Sequence, residues 1–495
     1  MYSLVHLILA EVIGYSWGLI LLGVADLLAL LSVPSVLLRR QGRPLAAMSW
    51  LLALFVLPYL GVLFWWIVGR EHLHRRRRLR RRSTEEFYAS LEELDGGPRA
   101  WIEPNPFGHL LPRGLFEGYG PPQVMGPSLA SQIELLVDGD EMFPALEQMI
   151  GRADDYVHLL FYIWKSDETG RRLRDLLVDK ARQGVEVRVL VDGVGSPDFR
   201  SELAEPLLEA GGHVGTFLPP TRLARQPTFN FRNHRKLVVV DGREALTGGL
   251  NIAEEYEHDW HEIAVRLRGS VVRDLHTVFL DDWLFATREN LATDPYLQPA
   301  DEEPSDARSA DGEAAACAVF SSGPDAEQPT LRDGLLHAIN AARDRLWVMT
   351  PYFIPSSEIL SALRAAVQRG VDVRLLLPES GAVAIVRHAS RSYYPTLLKS
   401  EVRLFEYRPR VLHAKGLIVD AQYAMLGSPN LDVRSFDIDF ELTTFIASRA
   451  LNTDLARLFE ANLEQCREID LQDVQNRSWF TSLTDSLAHL TSPQL

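Results

Sequence analysis

Cysteine is almost missing from this chain: Cys317 and Cys466 are the only two in 495 residues. That excludes the disulfide framework that staples small secreted domains, and it excludes zinc sites built on paired cysteines. No histidine–acid cluster has a ligand spacing such as HExxH either. Lysine is missing from residues 1–82, where 11 arginines stand against 3 acidic residues. The segment carries a net +8 and leaves −23 on the rest of a chain whose formal charge is −15. So acidic a body argues against a nucleic-acid-binding protein, whose footprint is ordinarily a basic domain. Charge itself is missing from residues 44–69 ("PLAAMSWLLALFVLPYLGVLFWWIVG") and is reduced to Asp26 in residues 12–38. No basic leader precedes the first block, which is too long for a cleaved signal peptide and is followed by a second.

Each block is long enough to cross about 30 Å of hydrocarbon at about 1.5 Å per residue, which predicts a two-helix transmembrane hairpin. Trp50, Trp65 and Trp66 sit near the ends of the second block, where an aromatic belt belongs. Eight arginines in "REHLHRRRRLRRR" (70–82) outweigh Arg39, Arg40 and Arg43 in the connecting loop, which places both ends of the hairpin and the following body in the cytoplasm. The run is either a plain stop-transfer flank or also an attractor of anionic headgroups. Asp26 either faces a helical bundle or marks a tilted, partly interfacial helix.

What the sequence does contain is a repeat. "NHRKLVVVDGREALTGGLN" (233–251) and "VLHAKGLIVDAQYAMLGSPN" (411–430) share His234, Lys236, Asp241, Gly248, Asn251 and, further on, Glu262 with His413, Lys415, Asp420, Gly427, Asn430 and Glu441. Every pair is 179 positions apart. The apolar filler between them changes while the polar positions stay, the reverse of a packing repeat. In a strand, His234 and Lys236 would share one face and want an anion. The surrounding elements repeat too: helix, strand, helix and strand precede each motif, from "EMFPALEQMIGRA" to "VEVRVLVDG" and from "LRDGLLHAINAA" to "VDVRLLLPE". Such alternation predicts α/β halves with mixed, largely parallel sheets flanked by helices.

The expected organisation is a membrane anchor with an Arg-rich flank (1–82), a linker (83–130), a first half (131–292), an acidic linker (293–325), a second half (326–470) and a C-terminal amphipathic segment (471–495). In the last, Trp479, Phe480, Leu483, Leu487 and Leu490 form one helical stripe, destined either for core packing or for a membrane surface.

Two copies of His-x-Lys-x4-Asp-x6-Gly-Gly/Ser-x-Asn resemble the phospholipase D superfamily. With "TPYFIP", "RGVDVRLLLPE", "ASRSYY" and the apolar N-terminus, the chain is similar to the anchored bacterial cardiolipin synthases over nearly its whole length. Leu160 stands where many relatives carry a polar or acidic residue. The resemblance implies two pseudo-twofold-related halves sharing one site in a protein of the bacterial inner membrane. It implies reversible phosphatidyl transfer from one phosphatidylglycerol to another, giving cardiolipin and glycerol. A phospholipase D-type phosphodiesterase or a phosphatidylserine synthase would share the same residues, and a non-catalytic scaffold would have lost a histidine.

The residues themselves suggest how. One imidazole must be neutral to attack phosphorus and form a phosphohistidine, and the other protonated to release the alkoxide. No cofactor and no metal is expected, since lysines beside both histidines repel a divalent cation and hold phosphate. Symmetry does not rank the histidines; the family analogy makes His234 the nucleophile and His413 the acid. Lys236, Lys415, Asn251 and Asn430 are the expected phosphate ligands. Asp241 and Asp420 complete the motifs as catalytic-set residues, and their odd offset favours bracing a turn. Glu262 and Glu441 either orient the imidazoles through the second ring nitrogen or form strand-end salt bridges. Gly248, Gly249 and Gly427 permit tight backbone, and Ser428 either offers a hydroxyl to phosphate or packs.

Overall fold

In the short runs Leu237–Val240 and Gly416–Val419 every residue is buried, because alternate side chains enter two different cores. Leu237 and Val239 join one apolar cluster while Val238 and Val240 join another. Ile418 and its neighbours Leu417 and Val419 divide in the same way. The computed structural model describes residues 15–40, 44–69, 74–95, 105–117, 122–219, 231–292, 296, 314–326, 328–381, 383–490 and 492. The start of the first apolar block, Arg43 and most of the acidic stretch 293–313 lie outside these. The chain divides into two units, Met1–Leu79 and Arg80–Leu495.

In the first unit the apolar blocks form a helix Tyr15–Arg39 and a broken one, Pro44–Val56 and Pro58–Phe64, continued by a wide turn at Trp65–Gly69. The break falls before Pro58, which cannot donate to the preceding turn. Ala29, Val36, Ala47, Leu54 and Trp65 pack between the helices, Trp66 Nε1 donates to Ser32 Oγ at 3.0 Å, and Arg40 donates to the Gly69 carbonyl. Trp65 is therefore an internal packing residue and not part of an interfacial belt; its ring meets Trp50 edge-on at 5.3 Å. Asp26 is exposed and does not face the hairpin interior. Among the described residues no helix is long and apolar enough to cross a membrane.

Among the described residues the second unit holds two large sheets and two short strand pairs. In spatial order the first runs Gln132–Val137, Ile263–Arg268, Glu244–Gly248, Leu237–Val240, Tyr156–Phe161, Glu186–Asp192, His213–Phe217. The second runs Val124–Ala130, Ala315–Ser322, Glu441–Ala447, Tyr423–Gly427, Gly416–Val419, Arg345–Met349, Asp372–Pro378, Arg403–Tyr407, Cys466–Ile469. Both are mixed, but only the strand–helix–strand portion of each is parallel. The motif strands turn back directly at Asp241-Gly242 and at Asp420, so their pairings are antiparallel, and the sheets are less parallel than helix–strand alternation predicts. Two boundaries also move. The strand Ala315–Ser322 lies in the stretch expected to be a linker, and Val124–Ala130 pairs with it as an edge strand of the second sheet. Ala315–Ser322 is rich in small residues and follows an acidic stretch, and Val124–Ala130 is followed by another strand and not a helix, so alternation did not reveal them.

The helices Val271–Thr287 and Arg449–Leu463 lie between the two sheets and share one core with both. Asp138–Gly151 and Glu168–Arg182 cover the outer face of the first sheet, and Thr330–Ala341 and Ser357–Gln368 that of the second. Asp241 (φ 51°) and Asp420 (φ 50°) take the left-handed conformation at the turns. Asp241 accepts the amides of Asp154, Asp155 and Tyr156 at 2.9, 2.9 and 2.7 Å, and Asp420 those of Arg343, Asp344 and Arg345. Each therefore locks the turn onto the start of the neighbouring strand, at the opposite end from its histidine. Asp241→Ala should lower unfolding free energy by about 2 kcal/mol, the cost of orphaned amides, in a denaturant titration; an unchanged midpoint would refute the bracing role.

Candidate active site

The two motif histidines do not sit on strands. His234–Lys236 and His413–Lys415 are extended entry segments, the strands beginning at Leu237 and Gly416, and each entry is held by the other half. Asn233 bridges to Phe440 and the His234 amide donates to the Phe440 carbonyl at 2.9 Å. Val411–Leu412 pairs in parallel with Trp260–His261, whose His261 carbonyl accepts the His413 and Ala414 amides at 2.8 and 3.0 Å. Glu441 opens its strand just past one bridge, and Glu262 lies between the other bridge and the strand Ile263–Arg268. The glutamates are consequently exchanged between halves.

His234 Nδ1 lies 3.1 Å from both carboxylate oxygens of Glu441, and His413 Nδ1 lies 2.5 Å from Glu262 Oε2. Both glutamates are fully buried. Burial alone would raise their pKa values, but for Glu262 the charges of Lys415 and His413, and for Glu441 those of His234 and Lys236, hold them below the usual range. An ionised carboxylate at Nδ1 fixes the proton there and leaves Nε2 as the free ring nitrogen. Burial brings the imidazoles down, His234 to about 4 and His413 to about 3, with Lys236 and Lys415 respectively adding to the effect. Burial also brings Lys236 down to about 7 and Lys415 to about 8. Lys236 Nζ donates to the His234 carbonyl at 2.5 Å; Lys415 donates to the His413 carbonyl and lies 3.3 Å from Glu262.

The asparagines differ. Asn251 accepts the Ile163 amide at 3.0 Å and donates to Tyr256 Oη at 2.7 Å, so it ties two loops together. Asn430 is buried, and among the described residues its side-chain oxygen has no hydrogen-bond partner. Gly248 and Gly427 lie so close to the adjacent strands at Ile263–Ala264 and Leu442–Thr443 that a Cβ would collide with backbone, and a Cβ on Gly249 would strike the Glu262 carboxylate. At the position equivalent to Gly249, Ser428 uses its hydroxyl to donate to Glu441 and to accept the Leu442 amide. It braces the carboxylate, a role that the sequence reading did not include.

Other contributors went unnoticed in the sequence. Tyr162 covers His234, with ring centroids 5.1 Å apart, and lies over Lys236. Tyr256 and Trp260 flank His413 at 5.3 and 4.8 Å. Asp192 accepts the amides of Asn233, Val194 and Gly195 at 2.8–2.9 Å and so fixes the approach to His234. Arg235, between the motif histidine and lysine, is buried on Asp282 at 2.6 and 2.7 Å and donates to the Glu441 and Ser322 carbonyls. Arg80 meets the same Asp282 at 2.7 Å and Asp281 at 2.6 Å. A signal for Arg235 was present: its equivalent in the other motif is Ala414, and an unrepeated charge inside a repeat marks a site-specific contact.

A family profile described as "Cardiolipin synthase, PLD-like domain" matches residues 146–283 and 335–463. Another, "Phospholipase_D-nuclease N-terminal", matches residues 24–70. The chain belongs to the cardiolipin synthase family of phospholipase D-like proteins. It is 33% identical over 470 residues to a cardiolipin synthase of Halalkalibacterium halodurans, covering 93% of this chain and 91% of the relative. It is 34% identical over 497 residues to that of Geobacillus thermodenitrificans, covering 97% and 95%. The fold is shared with the crystal structure of a phosphatidylserine synthase from Haemophilus influenzae, at TM-score 0.59 and 15% identity over 74% of this chain and 97% of that one.

Removing Asp282 leaves two buried guanidinium groups short of a partner. Asp282→Ala is expected to cost about 3–5 kcal/mol in denaturant-induced unfolding, against about 1 kcal/mol or less for Glu468→Ala, whose pair with Arg403 at 2.8 Å is exposed; equal small losses would show that the network carries no stability.

Proposed function

We propose that the chain is a cardiolipin synthase that joins two phosphatidylglycerol molecules into cardiolipin and releases glycerol. The observation that carries the reading is the exchanged pairing: two imidazoles, each with Nδ1 on the other half's buried glutamate and Nε2 left for chemistry, between two lysines. His234 Nε2 attacks phosphorus of the first lipid, forming the N–P bond as the P–O bond to the glycerol headgroup breaks. His413, held neutral by burial in the free site, takes up a proton from solvent as the phosphodiester anion enters and gives it to the leaving alkoxide. A headgroup hydroxyl of the second lipid then passes its proton to His413 and attacks phosphorus, and His234 departs. Lys236, Lys415 and Asn430 hold the non-bridging oxygens, and Glu441 and Glu262 offset the imidazolium that forms in each step. Asp241 and Asp420 support the turns, and Asn251 supports the loop carrying Tyr256.

The apolar blocks 12–38 and 44–69 form the membrane anchor of this reading, with the body on the cytoplasmic side of the bacterial inner membrane. The match of residues 24–70 to an N-terminal family region and the arginine bias support it. Anchoring keeps the acceptor hydroxyl at high local concentration.

Purified protein in detergent, given phosphatidylglycerol and EDTA, is expected to form cardiolipin and glycerol in equal amounts. His234→Ala and His413→Ala should each lower turnover by about 10³-fold or more with an unchanged circular dichroism spectrum. Phosphatidic acid as sole product would refute the synthase reading, and chelator sensitivity would refute the metal-free route.

The lysines set a pH dependence. Each must be charged to attract phosphate, so kcat/KM should fall as pH rises through about 7 and 8, where Lys236 and Lys415 lose their protons. The nucleophilic imidazole is neutral above about 4, so the acid limb should lie near or below that value. A profile flat from about pH 6 to 9 would sink the assignment.

A further inference from the structure

The C-terminal helix Trp479–His489 is packed the wrong way round for a protein surrounded by water. Its single acidic residue, Asp485, is buried and meets His388 Nδ1 at 2.7 Å and Arg477 at 3.3 Å. Trp479, Phe480, Leu483, Leu487 and Leu490 point outward, with Trp479 74% and Leu490 75% exposed. The helix Ala384–Arg391 beside it adds exposed Val383 and Ile385. From Arg80 onward nine large apolar side chains are exposed among the described residues, and seven of them are these. So concentrated an apolar face is where a partner sits.

We propose that this face enters the headgroup and upper acyl region of an anionic lipid bilayer and presents lipid to the active site, a proposal that rests on the phosphatidyl-transfer reading. Charge at the face suits that occupant. The helix's own carboxylate is neutralised inward, and Arg387, Arg391, Arg477 and His489 are its basic neighbours. Among the described residues Arg391 and Arg477 are the two of these engaged by a carboxylate, in ion pairs with Glu406 and Asp485, and the buried Arg387 Nε has no hydrogen-bond partner there. Indole and phenyl rings at the start of the helix match the interface, where such rings concentrate. The face is also continuous with the site. Val386, Ala389 and Ala488 share a small core with Ile354, and Phe353–Ile354 pairs with Leu431–Asp432, directly after Asn430. Lipid held at this face is thus one strand from a phosphate ligand.

The test uses the full chain in phosphatidylglycerol vesicles, with a nitroxide on Leu487→Cys in a Cys466→Ser background and a second label on exposed Gln368→Cys. The 487 label is expected to relax strongly with oxygen and at least fivefold less than the 368 label with a water-soluble nickel chelate. Equal exposure of both labels to nickel would overturn the proposal. Shielding that appears in detergent and grows with protein concentration would also overturn it, in favour of a second copy of the chain. In parallel, the combined variant Trp479→Ser, Leu483→Ser, Leu487→Ser should lose at least tenfold in turnover of vesicle phosphatidylglycerol while changing less than twofold on short-chain phosphatidylglycerol dissolved as monomers. Equal loss on both substrates, or no loss on either, would overturn it. If the unaltered chain turns over neither substrate, the functional reading fails and the labels still decide the docking.

Discussion

The hydrogen bond between each histidine and the glutamate of the opposite half is the constraint on which the active unit depends. A carboxylate with no solvent exposure is tolerated only when opposing charge and hydrogen bonds replace the lost hydration. Glu441 obtains these from His234, Lys236 and Ser428, and Glu262 from His413, Lys415 and the Ile263 amide. Separate the halves and both carboxylates lose their charged partners together. The backbone follows the same plan: the bridges at Asn233–Phe440 and Leu412–His261 bring each entry segment to the opposite sheet. Two helices between the sheets bury apolar surface from both, so hydrophobic burial and the polar site favour the same arrangement.

Duplication produces two like sites, whereas a displacement through a covalent intermediate needs two unlike imidazoles. The unlikeness comes from residues around the motif. Ser428 donates to Glu441, whereas the equivalent Gly249 has no hydroxyl to offer Glu262. Arg235, with no charged counterpart at Ala414, stands behind the His234 segment and joins it through Asp282 to Arg80. Tyr256 and Trp260 surround His413, and among the described residues a single ring, that of Tyr162, meets His234. A network of buried charges is seldom a gain in stability over an apolar core. Its effect here is to hold one histidine's backbone by side chains that the other histidine does not have.

The same principle of local regularity and distant decision runs through the rest of the chain. The helix of the C-terminal stripe was legible from its period, but the stripe's direction was set by Asp485 finding His388 and Arg477 on neighbouring elements. The strand Ala315–Ser322 was hidden because small residues and an acidic approach resemble a linker until Val124–Ala130 and Glu441–Ala447 pair on its two sides. Likewise, the apolar block 44–69 reads as one continuous helix, and Pro58 ends it after Val56.

By itself the sequence determined the duplicated motif, the α/β halves, the membership of the polar set and the aspartates' place at turns. Those properties follow from spacing and period, which are local and survive in any one-dimensional reading. Only the tertiary structure decided that the glutamates are exchanged, that Asn251 and Asn430 have different neighbours, that Arg235 and Asp192 belong behind the site, and which way the last helix faces. Each of these depends on elements distant in sequence that meet only in the fold, 41 residues apart for Asp192 and Asn233 and 207 apart for His234 and Glu441. That meeting is chosen by the burial of whole sheets, and no short stretch of sequence contains it.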